Sequence, residues 1–235
     1  AIIGICIFPI VVNNSRFIDT GISYAIFAIC LFGLALLFGQ TNFLSIAHSA
    51  LLGVGAYTAA IILNELGIGF WAGLPICALV AGVSAAILGY PSIRIGGYHF
   101  VIVTFAACEL FVLTVKNIGG DNSRNAITGG AQGLDIDSPV SPVLGQTLDI
   151  VAELGPFYYL TVAFLGLTIL LCAIIIRSNW GRTFRAIREN EMLAQAVGIN
   201  ANRWKIWAFT LSGMFAGVAG AFYAYKLRHI YPDVF

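Results

Sequence analysis

The side chains in this sequence that could do chemistry are few. Two stand out by their surroundings: Glu109 and His48, each inside a long apolar run. Glu109 stands ten residues into the run 99–116, about 15 Å along a helix and so near the middle of a span. An acid at that depth costs on the order of 3 kcal/mol, so it must face protein or water, as a structural hydrogen-bonding group or as a substrate contact. His48 follows the polar stretch Gln40-Thr41-Asn42-Phe43-Leu44-Ser45-Ile46-Ala47, an awkward start for a helix. Two readings of that stretch stay open: a broken or re-entrant segment lining a cavity, or a polar hinge satisfied by neighbouring helices. The candidate path residues are therefore His48, Glu109, Gln40, Asn42 and Ser45.

Covalent chemistry is not supported. A nucleophile needs a base within reach, and neither Gly-x-Ser-x-Gly nor His-Glu-x-x-His occurs. No Gly-Lys pair exists, so a phosphate-binding loop is absent and the chain is not expected to hydrolyse ATP. The five cysteines, Cys6, Cys30, Cys77, Cys108 and Cys172, sit apart in apolar runs and read as small buried hydrophobes. No cofactor or metal is expected in the chain.

A second cluster is charged rather than reactive. Residues 177–203 form a basic island between two apolar runs, holding Arg182, Arg185, Arg188, Glu189 and Glu191. Phe184, Ile187, Leu193, Ala194 and Val197 make a ragged apolar stripe, and Gly198 is placed to end a helix in a left-handed conformation. One short amphipathic helix over 183–198 is expected. From pattern alone it either docks a soluble partner or lies on the lipid surface.

The elements that carry these residues follow from composition. With 59% hydrophobic and 10% charged residues, against roughly 25% charged in soluble domains, the chain reads as an all-α, polytopic transmembrane bundle. Spans of about 20 apolar residues fall at 20–39, 43–63, 70–89, 99–116, 157–176 and 204–224, with a partial one at 1–12. That makes about seven, in a single permease-like domain over 1–235 that is expected to be trimmed at both ends. The opening run lacks the basic start of a signal peptide. Residues 117–156 are too long for a turn and too polar for a span.

Placing the island in the cytosol puts seven Lys/Arg and two acids on the inner side, net +5, and leaves the outer side at net −3. The 117–156 segment and the stretch Tyr231–Phe235 then lie outside. Small residues repeat every four positions at Ser45, Ser49, Gly53 and at Ser212, Ala216, Gly220, beside Gly213 and Gly217, a pattern for close helix packing.

Several blocks resemble one family. Gly181 to Glu191 and Ala196 to Asn200, then Lys205 to Gly213 and Ala216 to Ala224, are similar to the cytosolic loop and following helix of branched-chain amino-acid ABC permeases of the LivM type. Leu44 to Ala50, Gly53 to Thr58, Gly97 to Thr104 and Thr128 to Leu134 resemble further blocks, in the expected order. The resemblance implies a bacterial inner-membrane importer of leucine, isoleucine or valine, with a second permease subunit, two ATPase subunits binding ATP and Mg, and an extracytoplasmic substrate-binding protein. It makes the island a coupling helix and gives Arg182, Arg185, Arg188, Glu189, Glu191 and Gly198 the contact with the ATPase. The loop departs from the general Glu-Ala-Ala-x-x-x-Gly signature, with Met192-Leu193-Ala194 where the triplet should stand. Urea, amides or small organic acids are alternative substrates of the same architecture. A proton-coupled secondary transporter using Glu109 and His48 is the alternative mechanism.

Overall fold

Among the described residues, six helices are long and apolar enough to cross a membrane: Ser15–Thr41, His48–Leu66, Phe70–Ile93, His99–Ile118, Gly155–Arg177 and Ala201–Leu227. They belong to α1 (Ser15–Thr41), α2 (His48–Leu66), α3 (Phe70–Ile95), α4 (Gly97–Ile118), α5 (Leu154–Arg177) and α8 (Ala201–Leu227). Between α5 and α8 stand two shorter helices, α6 (Asn179–Glu189) and α7 (Glu191–Ala196). The computed structural model describes residues 15–95, 97–118, 129–136, 142–143, 146–147 and 154–235. The partial span expected at 1–12 and most of the 117–156 segment lie outside the described residues.

The all-α bundle is as expected, and the spans match the apolar runs, with one difference. The run 43–63 becomes helical only at His48. Thr41 Oγ1 donates to the Leu37 carbonyl at 2.8 Å, and the Asn42 amide donates to the Phe38 carbonyl at 2.9 Å. Asn42 itself is left-handed, φ 59°. After Gly, Asn is the residue that adopts this conformation most readily, and it stops α1 as a C-terminal cap. The polar stretch is therefore a break between two helices.

The small-residue pattern becomes backbone contact, and α8 stands at the centre with α1, α2 and α3 packed on it. Gly213 and Gly217 face α3, where a Cβ on Gly217 would sit 2.4 Å from Ala81 Cβ. Gly220 faces α2, where a Cβ would sit 2.0 Å from the Leu52 carbonyl oxygen. Gly53 turns instead toward α4, against Phe111. The α5 helix packs on the outside of α1, and α4 leans on α2 and α3. Gly220→Val is expected to cost about 3 kcal/mol or more, because backbone cannot yield as a side chain does. Gly166, with nothing within 4 Å of a Cβ, should accept Ala. Thermal unfolding of the two purified variants in detergent checks the contrast.

The two ends of the bundle are built differently. At one end Lys226 pairs with Asp19 at 3.1 Å and Lys116 with Asp233 at 2.5 Å. There β1 (Leu134–Asp135) runs antiparallel to β4 (His229–Ile230), and Asn64 Nδ2 donates to the Asp135 carbonyl at 2.7 Å. A second two-residue ladder pairs β2 (Pro142–Val143) with β3 (Gln146–Thr147). The stretch from Tyr231 does not stay at that end. It folds back among α2, α4 and α8, so that the Phe235 ring lies 6.2 Å from Tyr57 and 5.9 Å from Tyr223. The basic island occupies the opposite end.

Candidate functional site

Ser178 opens the island as the N-cap of α6, its hydroxyl accepting from the Trp180 amide at 3.2 Å. A Cβ on Gly181 would sit 2.1 Å from the Ile176 carbonyl oxygen, so the turn out of α5 closes onto a residue with no side chain. Along α6, Gly181, Phe184 and Ile187 are buried, while Arg182, Arg185, Arg188 and Glu189 are exposed. Phe184 and Trp180 meet Trp204 of α8, both with ring centroids 5.7 Å apart. The apolar stripe on α6 thus seals the loop to the bundle.

The single helix expected over 183–198 is instead two. Asn190 is extended (φ −156°, ψ 104°), and its Oδ1 accepts from the Leu193 amide at 3.0 Å, capping α7. An Asn after Glu189 offers the chain a cap in place of another helical turn. Gly198 behaves as expected, with φ 88° and its amide donating to the Gln195 carbonyl at 2.9 Å. Past the break the apolar stripe turns outward. Ala194 is buried, but Met192, Leu193 and Val197 are 82%, 66% and 77% exposed. Met192 and Lys205 are what the sequence reading missed as functional residues; for Met192 the signal was an apolar cluster directly after an Asn cap.

Two of the five charged residues bond back to the bundle. Arg188 Nη1 donates to the Gly39 carbonyl at the end of α1, at 2.7 Å. Glu191 Oε2 accepts from Lys205 Nζ at 2.7 Å. Lys205 is buried at 5% exposure, its ammonium 4.7 Å from the Phe43 ring centroid. Arg182 is held by Asn179 on its own helix. Arg185 and Glu189 remain exposed. A cavity of about 810 Å³ under the loop brings Asn42 together with Arg188, Glu191 and Lys205.

The path candidates do not converge. His48 is buried, with Nε2 hydrogen-bonded to Ser212 Oγ of α8, while its Nδ1 and the buried Ser45 Oγ have no partner among the described residues. Gln40 is half-buried and Asn42 exposed at the break. Glu109 lies on the exposed face of α4, in line with Ile102, Phe105 and Leu113. A proton relay between His48 and Glu109 has no support in this arrangement, because one points into the bundle and the other away from it. Among the described residues no three His, Cys, Asp or Glu side chains gather as a metal site.

Residues 16–235 match the family model described as branched-chain amino acid transport system / permease component. The chain is similar to the high-affinity branched-chain amino acid transport system permease protein LivM of Escherichia coli, 29% identical over 97% of this chain and 56% of the relative. It is also similar to a probable branched-chain amino acid transport permease protein LivH of Methanocaldococcus jannaschii, 26% identical over 80% of this chain and 59% of that protein. The ribose import permease protein RbsC of Haemophilus influenzae is 24% identical over 59% of this chain and 42% of its own length. No solved structure matches. The chain spans about half the length of the LivM relatives it matches. Six apolar helices and this set of relatives make it a multi-pass membrane protein. It belongs to the family of permease components of branched-chain amino acid transport systems.

Proposed function

We propose that the chain is the membrane-spanning core of a permease subunit in a bacterial inner-membrane ABC importer for leucine, isoleucine and valine. The observation that carries this is the α6–α7 loop. Its inner stripe packs on the bundle, while its outer apolar triad and the charges of Arg182, Arg185 and Glu189 are left exposed. That is the anatomy of a docking surface, an apolar centre with a polar edge. The partner is a separate ATPase subunit that carries ATP and Mg, since the chain has no phosphate-binding loop. Arg182, Arg185 and Glu189 form the rim, Arg188 and Glu191 position the loop, and Gly198 ends it. The chain itself is a transport subunit without catalysis. A second permease subunit completes the pathway, and an extracytoplasmic binding protein delivers substrate at the opposite end, by the 117–156 segment. The basic end faces the cytosol, as the Lys/Arg excess there favours.

The substrate class rests on the relatives, and one of them is named for ribose import. Uptake of labelled leucine by cells carrying the complete transport system tests it, with excess unlabelled valine or urea as competitor. Valine is expected to suppress uptake and urea to leave it unchanged. Absence of leucine uptake, or competition by urea alone, would move the substrate to the amide or organic-acid class.

A further inference from the structure

The α7 helix has six residues, too few to hold its own shape, and its buried side chain is Ala194. The cavity of about 810 Å³ separates it from the end of α1 and the start of α4. Continuous apolar packing therefore does not join α7 to that side of the bundle; polar contacts do. Arg188 reaches the Gly39 carbonyl from α6. Lys205, on α8, takes Glu191 of α7 on one side and the ring of Phe43 on the other. From Phe43 the contact continues to Phe100 of α4 (centroids 4.9 Å apart) and from there to Phe209 of α8 (5.9 Å). The junction thus gathers α7, α8, α4 and the break between α1 and α2 around one buried ammonium.

We propose that Lys205 is a positioning residue for transport: its ion pair with Glu191 and its seat over Phe43 fasten α7 to the 42–47 segment, so that displacement of α7 by a docked subunit reaches the break between α1 and α2. This rests on the docking reading above. The pair resists separation because the buried Lys205 ammonium is poorly solvated without its carboxylate partner, so the two segments move together. The break is the place where the movement is absorbed. Asn42 already holds a left-handed backbone, and residues 42–47 form no helix that would have to melt.

The test uses the full-length protein assembled with its ATPase subunits. Spin labels are placed through Leu44→Cys and Gln195→Cys in a background with the native cysteines replaced by alanine. Distance distributions are recorded without nucleotide and after trapping with ATP and vanadate. With Lys205 present the distribution should stay narrow in both states, and Lys205→Arg should keep it so. Lys205→Met should broaden it about two-fold while the ATPase subunits stay bound. A Lys205→Met distribution as narrow as the parent's, with the ATPase bound, overturns the proposal alone. Broadening accompanied by equal loss of folded complex also overturns it, making Lys205 a folding residue. A parent complex that retains no ATPase overturns the docking reading and this proposal together.

Discussion

Changing Met192 and Leu193 together to Asp is expected to release this chain from its ATPase partner almost completely, with membrane insertion intact. The two side chains are 82% and 66% exposed, on a helix whose inward residue, Ala194, is already packed. Large apolar side chains held out in water by a capped helix gain only by being covered. Each buried one contributes roughly 1.5–3 kcal/mol, and two Asp residues add the cost of burying unpaired carboxylates. A loss of about 3 kcal/mol is roughly a hundred-fold in affinity, and the double change should exceed it. Arg185→Ala with Glu189→Ala should behave differently. Rim charges on a solvated face are worth about 0–1 kcal/mol each, so retention should fall a few-fold at most and become less sensitive to salt. Retention of the subunits on an affinity-tagged ATPase, at low and high salt, measures both. Undiminished retention of the Asp double variant would remove the triad from the interface. Arg188→Ala is the wrong probe for docking, because Arg188 also holds the end of α1 through Gly39.

That distinction shows what the sequence could and could not reveal. The spans were legible because a bilayer demands a minimum apolar length. Helix contact at Gly217 and Gly220 was legible because only small residues let backbones meet. Gly198 was legible as a helix stop through its conformational freedom. The division of the island was not, because it depends on which partners the fold supplies. Glu191 and Glu189 are two residues apart with the same charge, yet one meets Lys205, fourteen residues further along, and the other meets solvent. Periodicity also treated Phe184, Ile187, Leu193 and Val197 as one stripe. The cap at Asn190 rotates the second half outward, and only the backbone at that residue decides it. Glu109 and His48 looked like a pair by chemistry, but α4 turns Glu109 outward while α8 engages His48. An acid on that outward face costs on the order of 3 kcal/mol if it meets hydrocarbon.

Glu191→Ala should be far more damaging to stability than Lys205→Met, although both break the same ion pair. The asymmetry comes from burial: the Lys205 side chain is 6% exposed and that of Glu191 is 40%. Without Lys205, the carboxylate turns to water at little cost. Without Glu191, the ammonium of a side chain 6% exposed loses its charged partner and keeps the Phe43 ring, and removing one partner of a buried pair costs about 3–5 kcal/mol. The lower end applies here because Glu191 is partly solvated and its own contribution is screened. Combining Glu191→Ala with Lys205→Met removes the stranded charge, so the double variant should recover most of the stability lost by Glu191→Ala alone. Thermal midpoints of the four proteins in detergent close this cycle. Stability restored in the double variant, with α7 still untethered, would separate the energetic role of the pair from its mechanical one. Equal losses in both single variants would show that Lys205 is hydrated through the cavity beneath the loop, and the tether would then be a surface ion pair worth little.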